Sequence, residues 1–212
     1  MSKRSLEAKG KELVATVVVI GEVVLDRFVT ADAGVTEVAG GSAANTALAA
    51  HRAGHRALLR ARYSTQPAGR FLLSHALALG LDVSGSIAAQ EPATTVDVTL
   101  SSKGSPTYSF TMEGTADWQW TQAELAQPLP DDCDAIVLGS LASVLAPGCH
   151  QLAQWATTAR ASGVLVAYDP NARPTAVANH DGIVIRQRIH EWVRASDIVK
   201  VSDEDVAWIS PG

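Results

Sequence analysis

Val17-Val18-Val19-Ile20-Gly21-Glu22-Val23-Val24-Leu25-Asp26 is the stretch on which the fold turns. Its apolar residues run on without alternating, the pattern of a parallel strand covered on both faces. A polar segment carrying Lys3, Arg4, Lys9 and Lys11 precedes it, and a basic head before an apolar run imitates a secretion signal. Glu22 and Asp26 follow at once, and no small-residue cleavage pattern accompanies them. The run is therefore read as a strand, residues 1–13 as a flexible basic tail, and the location as cytoplasmic. No apolar stretch approaches the length of a bilayer span.

Working outward, three more continuous apolar runs stand apart. They are Ala135-Ile136-Val137-Leu138, Val164-Leu165-Val166-Ala167-Tyr168 and Ile198-Val199-Lys200-Val201. Helical patterns lie between them. Ser42 to Arg52 is alanine-rich with Gly54 as its stop, Gly69 to Leu79 is stopped by Gly80, and His150 to Ala161 by Ser162-Gly163. Ile183 to Ala195 is amphipathic, and Asp203 to Ile209 begins another helix. Strands alternating with helices predict a layered α/β fold. Residues 94–112 break the rule: Val96, Val98 and Leu100 alternate with Asp97 and Thr99, then a turn at Ser102-Lys103-Gly104-Ser105-Pro106 leads to Tyr108 and Phe110. That is a hairpin with one wet face. With the extended stretch 28–38 it predicts a small projecting sheet, a lid or a dimer surface.

Composition limits the function. The 212 residues are 47% hydrophobic and 18% charged, as in an ordinary globular chain, and 17 basic against 22 acidic residues leave a net charge of -5. No basic stripe points to nucleic acid. Cys133 and Cys149 are too few for a disulfide framework or a cysteine-built zinc site and read as reduced thiols. His51 and His55 flank Gly54 and have no third ligand near, so they read as surface residues. Arg56, Arg60 and Arg62 read as a solvated basic face, and Trp118 and Trp120 as packed rather than stacked on a ligand.

In open α/β sheets ligands sit beyond the carboxyl ends of the strands. Asp26 follows the first run; Gly139-Ser140 the second; Asp169, Asn171 and Arg173 the third; Lys200, Ser202 and Asp205 lie at the fourth. Ala39-Gly40-Gly41-Ser42-Ala43-Ala44-Asn45 opens a helix. Paired glycines let backbone approach a ligand, and the N–H groups of the first helical turn donate to it. Asn45 can donate and accept, and Asp26 can accept from two hydroxyls, which suits a sugar. A tight turn with Asn45 as a cap is the plainer reading of the same residues. Neither G-x-G-x-x-G nor G-x-x-x-x-G-K-[ST] is present, so dinucleotide and P-loop sites lack their motifs.

These segments resemble, in order, the ribokinase-like (phosphofructokinase-B-type) carbohydrate kinases, fructokinases in particular. The matching stretches are Val18 to Asp26, Ala39-Gly40-Gly41-Ser42-Ala43-Ala44-Asn45-Thr46-Ala47 with Gly54, Gly69-Arg70-Phe71-Leu72 and Gly80-Leu81-Asp82-Val83. Gly114-Thr115-Ala116-Asp117, Asp169-Pro170-Asn171-Ala172-Arg173 and Lys200-Val201-Ser202-Asp203-Glu204-Asp205 complete the series. The resemblance implies a three-layer ribokinase-like α/β fold over residues 14–212, with a mostly parallel central sheet, a β lid and the carboxy-terminal part missing. It implies ATP-dependent phosphorylation of a sugar hydroxyl with Mg2+. Asp26, Gly40, Gly41, Asn45, Asp169, Asn171 and Arg173 would hold the sugar, Lys200 and Ser202 would face phosphate, and Asp205 the metal. A homodimer through the lid sheet is a further expectation, with no nucleic-acid or membrane partner.

The chain departs from the family pattern at Ser64, where a glycine is usual, at Gln66, where an aspartate is common, and at Ser202 and Asp205, where Asn and Glu are usual. The family's Gly-Ala-Gly-Asp run, which carries the catalytic base, is not among the 212 residues. The chain alone is therefore expected to show no sugar-dependent ATPase and to associate through uncovered surfaces. A non-catalytic sugar-binding remnant of the fold is the alternative.

Overall fold

The computed structural model describes residues 14–30, 34–100 and 106–210. The basic segment 1–13 and the turn at Ser102–Ser105 lie outside them. In chain order come β1 (Thr16–Ile20), β2 (Val24–Thr30), β3 (Gly34–Gly40), α1 (Ser42–Arg52), β4 (Arg56–Arg60), β5 (Arg62–Ser64), α2 (Pro67–Ala78) and β6 (Ile87–Ala89). Then follow β7 (Thr95–Leu100), β8 (Pro106–Thr111), α3 (Gln122–Leu125), β9 (Cys133–Gly139), α4 (Gly148–Ala161), β10 (Leu165–Asp169), α5 (Gly182–Ala195), β11 (Ile198–Val199) and α6 (Asp203–Ile209).

The central sheet has the order β11-β10-β9-β1-β4, and every pairing in it is parallel. Strand pleating sends successive side chains to opposite faces. Val18 and Ile20 therefore join a core with Ile136, Leu152 and Ile189, while Val19 joins Leu59, Ala47 and Leu72 on the other side. Helices α4 and α5 supply the first core, α1 and α2 the second. Burial on both faces explains why these strands read as unbroken apolar runs.

The opening run is two strands, not one. β1 ends at Ile20, the chain passes through Gly21–Val23, and β2 begins a second sheet of order β3-β2-β7-β8. That sheet is the lid. β2 runs antiparallel to β3 and parallel to β7, and β7–β8 is the hairpin read from the sequence. The lid begins at Val24 rather than at Phe28, so Asp26 and Gly40 are themselves lid residues, paired across the sheet with Val38 and Val24.

Of the expected solvated face, Arg56 is exposed as read, but Arg60 and Arg62 require correction. Arg60 and Arg62 are buried, at 4% and 6% exposure. Arg62 donates to the Ala116 carbonyl at 2.9 Å and pairs with Glu91 and Glu124, while Arg60 donates to the carbonyls of Gln127 and Pro128. Buried guanidinium groups persist because several acceptors meet their fork at once. Trp118 and Trp120 are packed, His51 is exposed, and Cys133 and Cys149 are free thiols, as read, whereas His55 is half-buried and its Nδ1 accepts from the Ala15 N–H at 3.3 Å. Among the described residues no helix is long and apolar enough to cross a membrane.

Candidate active site

The glycine pair is fixed by two different crowds. A Cβ at Gly40 would stand 2.6 Å from Asp26 Oδ2, the mobile end of a side chain. A Cβ at Gly41 would stand 2.5 Å from the Glu22 carbonyl and 2.8 Å from Val23 Cα, and Gly41 sits at φ 105. Gly41 is the N-cap of α1 and brings no side-chain acceptor, so the helix opens on backbone N–H groups. Asp26 is half-buried beside them, and desolvation alone raises its carboxyl above the ordinary range. Asn45 is exposed one turn into α1 and lines a crevice with Gly40, Val23, Tyr63 and His75.

A second group gathers at the ends of β9, β10 and β11. Asp169 accepts from the Asn171 N–H at 3.1 Å and from Lys200 Nζ at 3.0 Å. Asn171 Nδ2 donates to Ser140 Oγ at 3.3 Å. Ser140 and Asn171 both hold positive φ, 51 and 38, a conformation that costs energy in non-glycine residues and clusters at functional sites. Asp205 is buried, and both its oxygens are engaged: Oδ1 by the Ala172 N–H at 2.7 Å, Oδ2 by the Ser202 N–H at 2.9 Å and hydroxyl at 2.8 Å. Burial pushes this carboxyl up, but the Ser202 and Ala172 donors and the Lys200 charge outweigh it and hold it below the usual range. Arg173 is exposed, and among the described residues its guanidinium donates only to the neighbouring Ala172 carbonyl.

The two groups meet at Glu22, which the sequence reading used only to dismiss a secretion signal. Glu22 is 3% exposed and accepts from the Ala142 N–H at 3.3 Å. Burial nonetheless raises its carboxyl. A narrow crevice lined by Glu22, Ser42, Thr46, Gly139 and Asp169 joins the start of α1 to the strand ends. Asp117 is a second buried acid, known from the sequence only as part of a motif.

A protein-built magnesium site does not fit these residues. Among the described residues no group of three or more His, Cys, Asp or Glu side chains could hold a metal, and protein donors already fill both oxygens of Asp205.

Residues 14–211 match the pfkB family of carbohydrate kinases. A fructokinase of Rhizobium leguminosarum bv. trifolii is 33% identical over 175 residues, 82% of this chain and 52% of its own length. Fructokinase-2 of Oryza sativa subsp. japonica is 29% identical, over 92% of this chain and 60% of its own. The fold of a Xylella fastidiosa fructokinase superposes with a TM-score of 0.82 at 21% identity, covering 92% of this chain and 64% of that one. The chain thus spans little more than half the length of the relatives it matches. Over nearly all of its own length it belongs to the pfkB family of carbohydrate kinases.

Proposed function

We propose that this chain forms the sugar-binding side of a fructokinase-like enzyme, which transfers the terminal phosphoryl group of ATP to a sugar hydroxyl. One observation carries the reading. Asp26 is a half-buried carboxylate without a stabilising partner among the described residues, set against Gly40 at the root of a β lid and beside the uncapped start of α1. A carboxylate so placed regains its lost hydration by accepting from two hydroxyls. Asn45 adds a donor and an acceptor, and the helix N–H groups suit a developing negative charge.

Asp169, Asn171 and Arg173 extend the sugar side in this reading, and Lys200 with Ser202 faces the phosphates. A divalent cation would travel with the nucleotide, and Asp205 would meet Mg2+ only through water, because its work is to strap α6 to the Asn171 loop. Similar folds support the choice of reactants: one Xylella fructokinase structure contains ATP, and one Vibrio cholerae fructokinase structure contains fructose, ADP and calcium. Transfer itself is positioning and charge neutralisation, and a lid that excludes water strengthens both.

A thermal-shift screen of monosaccharides tests the reading. Fructose or ribose should raise the melting temperature in a saturable way; a flat response to every sugar would contradict it.

A further inference from the structure

Three of the four lid strands leave the core around one buried acid. Asp117, 1% exposed, accepts from the Val23 N–H at 2.9 Å through Oδ1. Its Oδ2 lies 2.6 Å from Thr94 Oγ1, which lies 2.7 Å from Thr115 Oγ1, which donates to the Met112 carbonyl at 2.8 Å. Val23 immediately precedes β2, Thr94 precedes β7, and Met112 follows β8. The Leu25 N–H donates to the Thr94 carbonyl at 3.0 Å and closes the cluster.

A proton count orders this chain. Each hydroxyl has one proton to give. Thr115 gives its proton to Met112, so the short Thr94–Thr115 contact needs the Thr94 proton. The contact between Asp117 and Thr94 then needs a proton from the acid. With an ionised Asp117, two oxygens 2.7 or 2.8 Å apart would be left with no proton between them.

We propose that Asp117 is a positioning residue kept as the neutral acid, donating through Thr94 and Thr115 to Met112, and that it thereby fixes the lid root and the place of Asp26 above Gly40. The link to sugar rests on the reading of Asp26 given above. Burial outweighs the Thr94 and Val23 hydrogen bonds, which pull the Asp117 carboxyl down, and with a smaller push from nearby Glu22 raises it to about 7. The titratable and charged groups around it are Glu22, the Tyr63 hydroxyl, and Arg62 with Glu91 and Glu124.

Asp117→Asn is the decisive variant, because an amide copies the neutral acid: its oxygen accepts from Val23 and its nitrogen donates to Thr94. The test measures amide hydrogen exchange of β2, β7 and β9, and fructose affinity by calorimetry, from pH 5.5 to 8.5. In the wild type, exchange in β2 and β7 should quicken as pH rises through about 7, beyond the intrinsic base catalysis seen in β9, and fructose affinity should fall about tenfold. Asp117→Asn should hold the low-pH behaviour throughout, and Thr94→Val should loosen β2 and β7 at every pH. Asp117→Asn as loose as Thr94→Val, or a wild-type lid indifferent to pH, would overturn the proposal. If the wild type binds no fructose, the Asp26 reading fails, and hydrogen exchange alone still decides the lid root.

Discussion

At the scale of single residues, Gly40 and Gly41 stand side by side for different reasons, and substitution should separate them. Alanine at Gly41 meets backbone at positive φ and should cost about 2–3 kcal/mol, read from urea melts. Alanine at Gly40 meets only the end of Asp26, which can rotate away. Gly40→Ala should therefore melt close to the wild type and lose most of its sugar affinity. Asp117 gives a pH prediction with a definite sign. Its folded pKa, about 7, lies above the ordinary 3.8, so the native state binds the extra proton and stability falls as pH rises between those values. Ionising it between pH 5.5 and 7.5 should cost about 2 kcal/mol. Buried Glu22 adds in the same direction, and Asp117→Asn should flatten most of the slope in melts at the two pH values. Gly40 and Gly41 were legible as a close-packed turn before a helix, whereas Asp26, expected beyond a strand end, lies within lid strand β2. Glu22 and Asp117 were not legible, because their importance lies in long-range partners, Ala142 and Val23, which local pattern cannot reveal.

At the scale of elements, agreement follows the strength of the local signal. α1 and α6 span the expected residues because glycine or serine marks each start. α2 begins at Pro67 instead of Gly69, since the fixed φ of proline suits the first helical turn. β4 went unread: Arg56 and Arg60 bracket Ala57-Leu58-Leu59 and disguise a strand that lies beside β1. The split of the opening run into β1 and β2 was equally hidden, because a change of sheet leaves no mark in hydrophobicity. The reciprocal Ser202–Asp205 capping box, tied to Ala172, makes α6 a strap across the site. Asp205→Ala removes both anchors and should cost about 2 kcal/mol, with faster exchange at the Ala172 amide, whereas Asp205→Asn should retain part of each.

At the scale of the whole molecule, the parallel sheet and separate projecting sheet were foreseen from runs and alternation, and residues 14–211 match the family. The lid leaves Phe28, Val35, Val38 and Tyr108 more than a third exposed, and β3 is a sheet edge. Pairing of two lids would cover both liabilities. Light scattering should give a dimer that Val35→Glu with Val38→Glu returns to monomer; a wild-type monomer would contradict this. The catalytic-base run expected from the family is not among the 212 residues, so sugar-dependent ADP release by this chain alone should stay at background. Sugar binding needs no such base. Calorimetry of the wild type and Asp26→Ala with fructose is thus the most direct test of the site. Saturable heat in the wild type that vanishes in the variant is the predicted result. No heat in the wild type, or equal heat in both, would contradict the placement of a sugar between Asp26 and the glycine pair.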